Sequence, residues 1–142
     1  MATPYSAVFD SFLMKVTDYN FLKLSQEDLE EELLGFMKSS IVKFYKSKID
    51  LSDRDDTLKQ FNKTLTDFEV EVIATLMVVE YLKPEIVKMQ LIRQQLTDAD
   101  FKIYSQANHL SAISDLYDKM KSEASKLIVD YSYAKGNLGD LK

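Results

Sequence analysis

The chain has 142 residues and a mass of 16.4 kDa, with 18 Lys+Arg against 23 Asp+Glu, a formal net charge of −5 and 46% hydrophobic residues. One histidine, no cysteine and 3 glycines exclude disulfide scaffolds, thiol nucleophiles, zinc ribbons and a Gly-rich phosphate loop. A pI near 4.9 is wrong for a module that grips nucleic acid, which needs a basic face.

This length predicts one domain that buries roughly 68–70% of its unfolded surface without metal or disulfide support. The composition favours a structural or binding protein over an enzyme, with no cofactor and no metal. The acid is unevenly placed: residues 1–71 carry 9 Lys+Arg and 14 Asp+Glu, whereas residues 72–142 carry 9 of each. The N-terminus lacks a basic leader region, and no apolar run approaches the ~18 residues of a membrane span. A protein without a membrane segment, intracellular when made, is expected.

Thr3-Pro4 predicts a helix start, because Thr can cap free N–H groups and Pro tolerates the first helical position. Val8, Phe12 and Val16, with Phe9 and Leu13 beside them, mark one apolar face that fades near Asp18-Tyr19-Asn20. Ser25-Gln26-Glu27-Asp28 opens a second helix as a capping-box variant, and the carboxylates of Glu27, Asp28, Glu30, Glu31 and Glu32 suit the positive end of its dipole. Leu29, Leu33, Phe36, Met37, Ser40 and Phe44 carry the helical period. Gly35 interrupts this helix at a cost of about 1 kcal/mol relative to Ala, which reads as a close helix crossing or else a kink of functional value.

Residues 47–66 lose the period and form a long acidic inter-helix loop, the kind of connection that is usually functional or disordered rather than a mere link. Read as a calcium loop from Asp53, it places Leu58 where a Gly is needed and Thr64 where a bidentate Glu is needed, so the calcium reading fails. Asp50, Asp53, Asp55 and Asp56 remain as either a plain solvated loop or an acidic surface with an assembly role.

Thr66-Asp67-Phe68-Glu69 is a capping box for a third helix. That helix is apolar on nearly all sides around residues 73–79, as the central helix of a bundle would be. Glu80 is expected to be partly buried, with Lys83 three residues on or another lysine as its partner. Pro84 is expected to end or kink the helix. Residues 85–96 read as either a second helical piece or an irregular arm.

Thr97-Asp98-Ala99-Asp100 starts the last helix. Ile103, Gln106, Leu110, Ile113, Tyr117, Met120, Ala124, Leu127 and Tyr131 follow at alternating steps of three and four, a coiled-coil-like seam. About 33 helical residues span about 50 Å, more than a small bundle needs for its own core. Leu110, Ile113, Tyr117, Met120 and Leu127 are therefore candidate subunit-packing positions. His109 beside this seam has Gln106 where a di-iron bundle would carry Glu, so it reads as a structural or surface histidine. Residues 132–142 hold 2 of the 3 glycines and predict an extended tail held by a partner or a neighbouring copy. Tyr131 and Tyr133 near it are candidate interface anchors.

These elements define an all-α fold: one small helical-bundle domain over residues 1–131, a long C-terminal helix, and a docking tail over 132–142. Leu51-Ser52-Asp53-Arg54-Asp55-Asp56, Leu65-Thr66-Asp67 and Leu76-Met77-Val78-Val79-Glu80-Tyr81-Leu82-Lys83-Pro84 resemble a small structural protein of tailed phages of Gram-positive bacteria. Asp100-Phe101-Lys102-Ile103-Tyr104-Ser105-Gln106-Ala107-Asn108-His109-Leu110 and Asp130-Tyr131-Ser132-Tyr133 fit the same picture. The resemblance is one of style and order over nearly the whole chain.

What the resemblance implies is a head–tail connector, or adaptor, of the virion neck, made in the host cytoplasm. Such a protein forms a ring of twelve copies under the portal protein and extends the DNA channel towards the next neck, stopper or tail protein. DNA passes through its lumen without specific binding. On this resemblance Tyr131, Tyr133, Lys135, Gly136, Asn137, Leu138, Gly139 and Leu141 are candidate portal-docking residues, and Asp50, Asp53, Asp55 and Asp56 are a candidate acidic loop facing the channel or a neighbouring component. The alternative is a non-enzymatic helical adaptor or regulatory protein that binds one protein partner through a groove.

Overall fold

The computed structural model describes the backbone of residues 2–16, 21, 23–44, 46–95 and 102–140, and the side chains of the same residues apart from 89, 91–95, 102–110 and 134–140. Four helices carry the fold: α1 (Tyr5–Lys15), α2 (Gln26–Lys43), α3 (Asp67–Gln95) and α4 (Lys102–Asp140). Three two-residue strands, β1 (Thr3–Pro4), β2 (Arg54–Asp55) and β3 (Gln60–Phe61), form an antiparallel sheet in the order β1-β3-β2. The register pairs Thr3 with Phe61 and Pro4 with Gln60, and then Arg54 with Phe61 and Asp55 with Gln60. The all-α bundle expected from periodicity is the observed fold.

Local chemistry accounts for the starts of α2 and α3. Ser25 Oγ accepts the Asp28 N–H at 3.1 Å, which caps α2 as expected. At the start of α3 the capping box closes both ways: Glu69 N–H donates to Thr66 Oγ1 at 3.1 Å and Thr66 N–H donates to Glu69 Oε1 at 2.8 Å. Thr3 does not cap α1. Its Oγ1 instead accepts the Leu65 N–H at 2.8 Å and donates to the Lys63 carbonyl at 3.1 Å, so β1 is tied to the far end of the long loop. Pro4 takes the cap position in extended geometry without a side-chain bond.

The core lies around α3. Residues 72–79 are all buried, and Val8, Phe12, Leu33, Met37, Phe44 and Phe61 close on them. Burying each such aliphatic or aromatic side chain contributes about 1.5–3 kcal/mol. Phe12, Phe21, Phe36 and Tyr81 form a second, aromatic layer with ring centroids 5.7–6.3 Å apart. Such tilted and edge-on pairs add to area burial because ring edges meet ring faces.

Three expectations change. α3 runs through Pro84 to Gln95, so residues 85–95 are helix and Pro84 does not end it. Pro84 is exposed, and the missing N–H costs the helix a single bond, to the carbonyl four residues before it. Likewise α4 continues through residue 140, so 132–140 are helical and not an extended tail. Glycine in a helix costs about 1 kcal/mol but does not forbid it. Finally, Gly35 is exposed and a Cβ built on it would meet nothing within 4 Å, so no close crossing requires it.

Candidate functional site

The residues 50–56 do not form one carboxylate cluster. Asp50 Oδ1 accepts the Ser52 N–H at 3.0 Å, and Asp53 Oδ1 accepts from Asn62 Nδ2 at 2.8 Å. Asp55 Oδ1 accepts the N–H groups of Thr57 and Leu58 at 2.8 and 3.0 Å. Asp50 and Asp55 each shape their own turn, as Asx side chains commonly do, whereas Asp53 reaches across the hairpin to Asn62. Lys59, with φ 55°, closes the reversal between β2 and β3 in the left-handed region. The structureless acidic loop is in fact a hairpin, and among the described residues no group of His, Cys, Asp or Glu is placed to hold a metal ion.

Asp56 is the aspartate that reaches across the fold. It accepts from Tyr5 Oη at 2.6 Å and from Lys38 Nζ at 3.1 Å. The Tyr5 hydrogen bond, followed by that of Lys38, holds its carboxyl below the usual range. Burial, reinforced by the bond to Asp56, pushes the Tyr5 phenol far above its ordinary value.

Tyr131 is not a tail anchor. It is 1% exposed, stacks edge-on with Phe44 and Phe68, and hydrogen-bonds Glu69. Tyr133, two residues on, is 66% exposed and remains available to a partner. The side chains of Lys135, Gly136, Asn137, Leu138 and Gly139, and all of Leu141, lie outside the described residues. Of the seam, Ile113, Tyr117, Met120 and Leu127 pack half-buried against the core of their own chain, and Ala124 is buried in it. Ile113, Tyr117, Met120 and Leu127 thus serve the core of their own chain while staying partly exposed, and Tyr117 also lines a groove between α2, α3 and α4. The side chains of Ile103, Gln106, His109 and Leu110 lie outside the described residues.

Glu80 does pair as expected, and with more than Lys83. Its carboxylate meets Lys43 Nζ at 2.6 Å and Lys83 Nζ at 2.9 Å, with the Glu80 side chain 10% exposed. Burial acts to raise its pKa, but the hydrogen bonds from Lys43 and Lys83 outweigh burial and hold it below the usual range.

This ion triad edges a groove of about 340 Å³ between α2, α3 and α4. Lys43, Lys46, Lys83 and Lys121 stand on its rim. Its floor is apolar, from Leu76 and Val79 of α3 and Ala124 and Ile128 of α4. Among the described residues neither Lys46 nor Lys121 forms an ion pair, and Lys121 Nζ lies 5.9 Å from the Tyr117 ring centroid. The exposed Val129 extends the apolar floor towards Tyr133, one helical turn on.

A second cleft, of about 220 Å³, opens where α1, the start of α2 and the β2–β3 hairpin meet. Glu27, Glu30, Glu31 and Asp56 line it, and Lys59 pairs with Glu30 at 2.7 Å. The hairpin tip beside it presents Leu58, 64% exposed. The groove was not legible from spacing, because its lysines come from three helices and the turn after α2. The nearest signals are Lys43 at the end of α2 with Lys46 three residues on, and Lys121 four residues after Tyr117.

No protein-family model, curated protein or solved structure matches the chain. Among the described residues no helix is long and apolar enough to cross a membrane.

Proposed function

We propose that this chain is a ring-forming head–tail connector of a tailed phage, seated between the portal and the next neck component. It is non-catalytic and lets DNA pass without binding it specifically. The observation that carries this reading is α4: at 39 residues it is far longer than α1 or α2, and it continues to residue 140, past Tyr131, the last core position among the described residues. A helix that outruns its own core has surface to offer an assembly. The segment beginning at Tyr133 is the portal-docking element in this reading, presented as a helix end. The formal net charge of −5 fits a protein around DNA that does not hold phosphate.

The test is to purify the chain with portal protein and measure mass and particle shape. Rings seated on portal are the expected result. A chain that does not bind portal, together with no density for it at the neck of the virion, would sink the reading. The alternative, an adaptor that binds one protein, has the groove between α2, α3 and α4 in its favour. It predicts a one-to-one complex with a partner other than portal.

A further inference from the structure

The connector reading requires a contact between identical subunits, and the two clefts differ in sign and in place. We infer that the lysine-rimmed groove receives the Leu58 hairpin tip and the adjoining acidic face of α2 from a second copy of this chain. This rests on the ring reading and names the surfaces that would build the ring.

Three features of the two faces match. The groove has an apolar floor and lysines that keep their charge without an ion pair among the described residues, Lys46 and Lys121. The opposing face has an exposed apolar knob, Leu58, with its side chain in water. Beside that knob stand Glu27 and Glu31, exposed, one helical turn apart on α2, and outside any ion pair among the described residues. Leucine in an apolar floor supplies burial. Carboxylates against rim lysines supply register and reject the like-charged orientation. The hairpin can serve as a rigid knob because Asp55 fixes the Thr57 and Leu58 amides and the Tyr5 amide donates to the Lys59 carbonyl at 2.8 Å.

Because groove and knob are different surfaces of the same chain, the contact is heterologous, so every subunit offers one of each. Such contacts close into a ring or run on as a filament. The same asymmetry gives a specific test. Glu27→Lys/Glu31→Lys spoils the knob, and Lys46→Glu/Lys121→Glu spoils the groove. Each variant alone meets like charge at every contact. Mixed in equal amounts, the Lys-bearing knob meets the Glu-bearing groove and the native knob meets the native groove, so an alternating assembly forms.

Sedimentation velocity on wild type, each variant and the mixture, with and without portal, reads this out, with helix content and thermal midpoint confirming that all forms fold. The expected result is wild-type assembly that weakens with added salt, monomers for either variant, and recovered assembly in the mixture. In the cysteine-free background, Leu58→Cys and Val129→Cys chains mixed under oxidation should give a cross-linked heterodimer. Assembly by both single-face variants, or no recovery in the mixture, overturns this contact while leaving the connector reading intact. A wild-type chain monomeric with and without portal overturns both. Retardation of duplex DNA by wild type and not by Lys46→Glu/Lys121→Glu, without self-association, assigns the groove to nucleic acid and overturns the contact.

Discussion

Tyr131 on α4 donates a 2.6 Å hydrogen bond from its Oη to Glu69 Oε2 at the start of α3, across 62 residues of sequence. The same oxygen accepts the Lys48 N–H at 2.9 Å, so one phenol joins the last helix, the central helix and the exit from α2. Glu69 is fully buried, and its other oxygen is held by the Thr66 N–H. Burial, reinforced by the bond to Glu69, raises the Tyr131 pKa, so the hydroxyl keeps its proton at neutral pH.

Tyr131→Phe should therefore cost about 2 kcal/mol, because it removes a donor from a buried carboxylate and an acceptor from a partly buried amide. The ring contacts with Phe44 and Phe68, at 5.1 and 5.7 Å between centroids, stay in place. Urea unfolding measures the loss. A change below about 0.5 kcal/mol would mean that water replaces the hydroxyl without penalty.

Gly35→Ala should stabilise the chain by about 0.5–1 kcal/mol, since it replaces a poor helix former by the best one in the interior of α2. Nothing lies within 4 Å of the added methyl, and Gly35 does not use positive φ. The thermal midpoint should rise by about 3 °C for a chain of this size. A fall would reveal a role for Gly35 in an assembly contact, where a methyl meets a neighbour.

Glu80 is shared by two lysines, and the pair should be non-additive. Lys43→Met or Lys83→Met alone leaves one cation on the carboxylate and should cost about 1 kcal/mol or less. The double variant leaves a carboxylate that is only 10% exposed without either cation. It should cost about 3 kcal/mol, more than the sum of the singles. The folded Glu80 carboxyl titrates below its unfolded value, so its contribution is present above about pH 4.3 and fades as pH falls through the folded pKa. A double-mutant cycle in denaturant at pH 7 and pH 4 checks both claims; additivity at pH 7 would contradict the first.

What sequence made legible is what is local or periodic. Ser25 and the Thr66/Glu69 box were readable because a cap and its partner lie three residues apart. The central position of α3 followed from a run apolar on every side, and the Glu80–Lys83 pair from one helical turn. Thr3 was misread because its partners, Lys63 and Leu65, are about sixty residues away, and a hydroxyl can serve either a cap or a distant strand. Tyr131 lay on the seam by period, yet its place beside a breaker-rich tail gave it an exposed role that Glu69 overrides. The β2–β3 hairpin escaped because two-residue strands carry no alternation to read. The groove needed three helices in register, which no single stretch encodes.

The Tyr5–Asp56 bond fastens the hairpin to α1, and its removal should show in titration. Asp56 is held low first by the Tyr5 hydroxyl and then by Lys38, so Tyr5→Phe should move the Asp56 carboxyl up towards its ordinary range. With the folded pKa below the unfolded one, Asp56 stabilises the fold above about pH 3.9, and the effect is lost as pH falls through the folded value. For Tyr5 the folded pKa is raised, so its contribution is full below about pH 10 and disappears only as pH rises through the folded value. Carboxyl-detected NMR titration of wild type and Tyr5→Phe follows Asp56 directly. An unchanged Asp56 pKa would place the main stabilisation with Lys38.

Tyr133 and Tyr131 are two residues apart on one helix, yet they should separate stability from docking. Tyr131 is buried at 1% exposure and Tyr133 stands at 66%. Tyr133→Ala removes an aromatic that makes no core contact, and its effect on stability should stay within about 0.5 kcal/mol. In the proposed role Tyr133 is the first residue of the docking element, an aromatic with a polar tip of the kind enriched at interfaces. Tyr133→Ala should then weaken portal binding by at least about tenfold, the scale of a residue whose truncation costs about 1.4 kcal/mol. Tyr131→Phe should shift unfolding and leave portal binding of the folded chain unchanged. Binding to immobilised portal, measured for both variants well below their thermal midpoints, decides between them. Equal portal affinity for wild type and Tyr133→Ala would remove Tyr133 from the docking element, and a matching loss in both variants would trace the effect to folding alone.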